Sequence, residues 1–138
     1  MEAGVLIDRQ GQPLFWHLPR TRTVASLPES PELWDVMWAN REDISGFAHS
    51  HPGSGMPGPS YTDVTTFAAI EAGLGVRLDW WITSSDSFTL LRWEGPDRLR
   101  YTPHPLIARD SRDGEPAQPL LVGEPPWIAE LRRHSGQM

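Results

Sequence analysis

Apolar residues in this chain change their spacing several times, and each change marks an element. Val5, Leu6 and Ile7 form a short apolar run, Asp8 to Gly11 is a turn signal, and Leu14 to Leu18 is a second strand-like run. Residues 3–18 therefore read as a β-hairpin. Residues 19–28 form a polar link whose Arg20 and Arg22 are expected to face solvent. Ser30 suits a helix N-cap and Pro31 a first helical position. Leu33, Trp34, Met37 and Trp38 then recur at helical spacing, which predicts an amphipathic helix to about Asn40. Ile44 to His49 reads as a short buried strand. Pro52 ends regular pairing, and residues 52–59 are a loop rich in Gly and Pro. Ser60 is a candidate N-cap for a helix from Asp63 to about Ala72, which would bury Val64, Phe67, Ala68 and Ile70. Gly73 and Gly75 are its expected terminators.

The second half continues the alternation. Val76 to Thr83 and Ser87 to Glu94 are strand-like runs joined by Ser84, Ser85 and Asp86, a hairpin signal. Leu78, Trp80 and Ile82 alternate with Asp79 and Trp81; Phe88, Leu90 and Arg92 alternate with Thr89, Leu91 and Trp93. Leu99 to Thr102 is a short last strand. Residues 103–126 carry Pro, Gly and charge and read as an extended tail or linker, while Trp127 to Arg133 is a candidate short terminal helix; docking back on the domain is expected, with partner binding the alternative. The pattern predicts one α/β domain over residues 1–102, a mixed sheet with a helix on each side, followed by a Pro-rich tail over 103–138.

Composition narrows the possibilities. At 138 residues the chain suffices for one domain with a real core and is too short for a barrel of roughly 250 residues. A net charge of -6 argues against nucleic acid as a partner. No apolar run is long enough to span a membrane and Met1 opens no signal peptide, so a cytoplasmic protein is expected. Zero Cys leaves His and carboxylate as the available metal ligands. All twelve basic residues are Arg. A GC-rich coding bias explains this, and it also leaves no side-chain amine for a lysine-conjugating pathway to modify.

The chemistry concentrates in residues 46–63, GFAHSHPGSGMPGPSYTD. Residues i and i+2 of a strand point the same way, so His49 and His51 share a face. Asp63 follows in the first turn of a helix. Two imidazoles and one carboxylate give three ligands with a fourth position free for water, the donor set of a catalytic zinc; a structural zinc is closed by four protein ligands. A pair of surface His beside a Pro-rich turn is the plain alternative.

These residues resemble the JAMM (JAB1/MPN/Mov34) metalloprotease family, whose signature is H-x-H-P, a loop, then S-x-x-D. His49, His51, Pro52, Ser60 and Asp63 match it in type and order, with a loop one residue longer than usual. The resemblance implies the MPN fold, zinc held by His49, His51 and Asp63, and Ser60 donating to the oxyanion. It further implies a general base in a Glu ahead of the first strand, which Glu2 before Ala3, Gly4, Val5 and Leu6 matches in compressed form. Glu29, Glu32 and Glu42 are rival acids. The activity implied is a deubiquitinase-like zinc isopeptidase cleaving after the C-terminus of a ubiquitin-like protein, in precursor processing or deconjugation. Short bacterial-type members of the family also occur in antiviral defence operons. A modifier or its conjugates would be the substrate, with activating and conjugating enzymes of the same pathway as further partners. Hydrolysis of small peptides or sulfur-carrier conjugates, or a non-catalytic MPN scaffold, are the alternatives.

Overall fold

The computed structural model describes residues 1–24, 27–104 and 124–136. Six strands form one mixed sheet: β1 (Gly4–Asp8), β2 (Pro13–His17), β3 (Ile44–Ser50), β4 (Asp79–Thr83), β5 (Phe88–Trp93) and β6 (Tyr101–His104). Among the described residues three helices accompany them: α1 (Pro31–Ala39), α2 (Tyr61–Leu74) and α3 (Ile128–Ser135). The spatial order is β2-β1-β3-β4-β5-β6. Only the β3–β4 pair is parallel, and α2 makes its crossover. Pro103 lies in β6, at the edge of the sheet, where a missing N–H costs no ladder bond.

Strand alternation divides the side chains into two cores. Leu6, Phe47, Trp80 and Ile82 point to one face, where Leu33 and Met37 of α1 and Phe67, Ile70 and Leu74 of α2 cover them. Val5, Ile7 and Ala48 point to the other, with Trp81 and Phe88 at its margin. Trp127, Ile128 and Leu131 seal that second face. The expected arrangement, α1 and α2 on opposite sides, is therefore corrected: they share a face, and α3 makes the third layer. Apolar side chains opposite the first two helices needed cover, and among the described residues the far end of the chain supplies it. The terminal segment thus docks back on the sheet and belongs to the core. Residues 105–123 of the Pro-rich stretch lie outside the described residues.

Helix ends follow local chemistry, with one correction. Ser30 caps α1, its Oγ accepting from Leu33 N at 3.1 Å, and Pro31 opens the first turn. Gly75 ends α2 in the left-handed conformation at φ 74°. Gly73 does not terminate the helix but lies within it. A Cβ there would meet the Trp34 ring at 2.7 Å, so this glycine lets α1 and α2 approach.

Candidate metal centre

Three elements meet at one end of the sheet. His49 sits near the end of β3, and the bond from His51 N to Thr83 O at 2.8 Å carries the extended backbone one residue past it. Both imidazoles therefore stand on the face covered by α1 and α2. Asp63 arrives from α2 through a capping box: Ser60 Oγ accepts from Asp63 N at 3.0 Å, and Asp63 Oδ2 accepts from Ser60 N at 2.9 Å. The loop leading to Ser60 is pinned to the β4–β5 turn. Asp86 Oδ1 accepts from Gly55 N at 2.7 Å, Ser84 Oγ donates to Gly55 O at 2.6 Å, and Thr89 Oγ1 donates to Pro57 O at 2.8 Å.

The donor atoms converge. His49 Nε2 lies 3.0 Å from His51 Nε2 and 3.5 Å from Asp63 Oδ1, and His51 Nε2 lies 3.1 Å from Asp63 Oδ2. Donors about 2.0–2.1 Å from one tetrahedral cation stand roughly 3.3 Å apart, so a single ion fits between these three. Among the described residues this is the one group of three or more such side chains that could hold a metal. Burial alone would push the Asp63 carboxyl up, but hydrogen bonds from His49 and His51 outweigh it and hold it well below the usual carboxylate range. The same pairing with Asp63 raises His51, against the effect of burial.

Glu2 reaches this site through strand register. Gly4 pairs with His49, Ser50 N donates to Ala3 O at 3.0 Å, and Ala3 N donates to Ser50 Oγ at 2.9 Å. One step further along, Glu2 falls opposite His51 and on the same face. Its own N–H is tied to Thr23 O at 2.6 Å. Glu2 is buried, which pushes its carboxyl up, while the nearby imidazoles of His49 and His51 pull it back. Gly4 is required here because a Cβ would run into the Phe47 ring. Of the rival acids, Glu32 and Glu42 are exposed away from the cluster, and Glu29 lines the same cavity but sits near His17.

Two contributors are absent from the motif. Arg22, expected in solvent, instead sends Nη1 to His134 O at 3.2 Å and Glu2 O at 3.4 Å, linking the end of α3 to the strand that carries Glu2. His17 is buried, with Nε2 donating to Pro28 O at 2.6 Å, and it lines the same cavity as the metal cluster. Burial lowers its pKa, keeping the ring neutral. No local sequence pattern marks it: His17 comes beside His49 because Gly4 pairs with both, which the assembled sheet alone reveals. No helix among the described residues is long and apolar enough to cross a membrane. No protein-family model matches the chain, and no curated protein matches it either.

Proposed function

We propose that this chain is a zinc-dependent amide hydrolase of JAMM type, with the MPN fold, acting as a peptidase or isopeptidase on the C-terminus of a ubiquitin-like protein. The observation that carries this reading is the convergence of His49, His51 and Asp63 within 3.0–3.5 Å of one another, beside a buried acid, Glu2. His49, His51 and Asp63 would hold a zinc ion through three protein ligands, fewer than the four that close a structural zinc site. When bound, the ion supplies Lewis acidity that makes a water acidic near neutral pH.

The chain's own residues do the rest. Glu2 takes a proton as the water oxygen bonds to the amide carbon, then delivers that proton to the nitrogen as the carbon–nitrogen bond breaks. Its upward-shifted pKa suits a group that must both accept and release a proton. The Ser60 hydroxyl accepts from Asp63 N, which leaves its own hydrogen for the developing oxyanion. Capping and catalysis are thus compatible in one hydroxyl.

The test measures zinc content and cleavage of a ubiquitin-like fusion with and without chelator. Stoichiometric zinc and chelator-sensitive cleavage, both lost in His49→Ala, support the reading; full cleavage in His49→Ala rules out any hydrolysis at this site. A second reading, hydrolysis of small peptides or amino-acid conjugates, draws on the cavity that continues from the cluster. Comparing fusion and small-amide substrates separates the two.

A further inference from the structure

Glu2 lies outside the strand ladder, ahead of Gly4, the first residue of β1. A carboxylate that moves a proton between two atoms must stay within hydrogen-bond reach of both, and residues flanking a strand end fray unless they are tied down. Here the peptide unit joining Glu2 to Ala3 is gripped at both ends by side chains. Its N–H, on Ala3, donates to Ser50 Oγ at 2.9 Å, while Ser50 N donates to Ala3 O at 3.0 Å. In a regular hydrogen-bonded antiparallel pair both bonds run between backbones, so the serine hydroxyl stands in for its own carbonyl. The other end of the peptide, Glu2 O, accepts from Arg22 Nη1 at 3.4 Å, and the same Nη1 donates to His134 O at 3.2 Å. Glu2 N is fixed to Thr23 O at 2.6 Å.

Alternation places the serine grip on the side of the sheet away from the donor atoms. Ser50 falls between His49 and His51, so its side chain points opposite to theirs, toward the core that holds Ala3 and Ala48. It is 1% exposed, and a hydroxyl so buried is kept by a polar partner, here Ala3 N. Fixing Ala3 against Ser50 fixes the next pair along, Glu2 against His51, on the opposite face. We propose that Ser50 is a positioning residue for Glu2, aided by Arg22, and that together they hold the Glu2–Ala3 peptide so that the Glu2 carboxyl stays beside His51. The proposal rests on reading Glu2 as the proton-transfer group of an amide hydrolase. Neither side chain belongs to the donor set.

The experiment compares the unmodified chain, Ser50→Ala, Glu2→Gln and the double variant, each metal-free for amide exchange and zinc-loaded for cleavage of a ubiquitin-like fusion. In metal-free Ser50→Ala, exchange at Ala3 N–H is expected to quicken at least about tenfold, while Leu6, inside β1, stays within about twofold. With zinc bound, kcat should fall about 10–100-fold while KM and zinc affinity stay within about twofold, because a base displaced by about 1 Å loses reach without losing substrate. Ser50→Thr, which keeps the hydroxyl, should restore both. The deciding comparison is the cycle. In the Glu2→Gln background Ser50→Ala should cost under about twofold, because its effect passes through the carboxyl it aims. An equal loss in both backgrounds, unchanged kcat in Ser50→Ala, or unchanged exchange at Ala3 overturns the positioning role and leaves the hydrolase reading intact. Should Ser50→Ala fail to fold, Arg22→Gln, at a half-buried position, takes its place in the cycle with an expected loss of about threefold to tenfold; no loss, or the same loss without Glu2, overturns the proposal. No cleavage by the unmodified zinc-loaded chain overturns both readings, since Glu2 then has no proton to move.

Discussion

At the scale of single residues, Glu2 carries two separable consequences. Glu2→Gln keeps the shape but cannot move a proton, so cleavage should fall by about 10²–10⁴-fold with zinc binding retained, measured by turnover and metal titration. Its stability effect has the opposite sign. Burial raises the folded-state pKa of Glu2 above its unfolded value of 4.5, so folding favours the protonated acid. That contribution is present below pH 4.5 and is lost as pH rises through the folded pKa. The metal-free Glu2→Gln variant should therefore melt above the unmodified protein at pH 7, and the gap should close on acidification; a gap that widens toward low pH contradicts the assignment. Zinc affinity should weaken as pH falls, because a His51 raised by Asp63 must give up its proton to bind the ion.

At the scale of elements, two junctions hold the site in place. Glu71 on α2 is buried and accepts from Arg77 Nη1 at 2.8 Å, Leu78 N at 2.9 Å, Trp80 Nε1 at 2.8 Å and the Tyr101 hydroxyl. It fastens the end of α2 to β4 and β6, and burial together with this carboxylate pushes the Tyr101 hydroxyl up. Glu71→Ala would strand several buried donors, and the expected loss is about 3–5 kcal/mol, read from denaturant midpoints. The second junction is Arg132 on α3, whose Nε donates to Ser84 O at 2.9 Å and Nη2 to Ser87 O at 3.1 Å. Ser84 in turn holds Gly55 of the loop before Asp63. Arg132→Ala should cost roughly 1–3 kcal/mol and speed amide exchange at Gly55, although Arg132 touches no ligand.

At the scale of the whole molecule, any metal held by His49, His51 and Asp63 would be coupled to the fold, because the end of β3, the residue after it and α2 meet only in the folded chain. Free zinc at one hundred times its dissociation constant should stabilise the protein by about 2.7 kcal/mol, seen as a higher melting temperature that His49→Ala abolishes. Much of this organisation is legible before folding. The spacing of Val5 to Leu18, the cap at Ser30 and Pro31, and the alternation through Trp80 and Ile82 are local patterns, and each element forms where its pattern lies. His49, His51 and Asp63 are legible as a donor set because strand period and helix capping act over a few residues. What the chain order conceals is which faces meet. Glycine at 73 signals an end by composition, yet it serves a contact with Trp34. Arg22 looks solvated until α3 brings its carbonyl end alongside, and His17 joins the cavity only through the shared pairing of Gly4. Local periodicity determined the elements and the ligand types. The side of the sheet each helix covers and the nearness of Glu2 to His51 were decided by long-range pairing and burial, which depend on contacts between residues far apart in the chain.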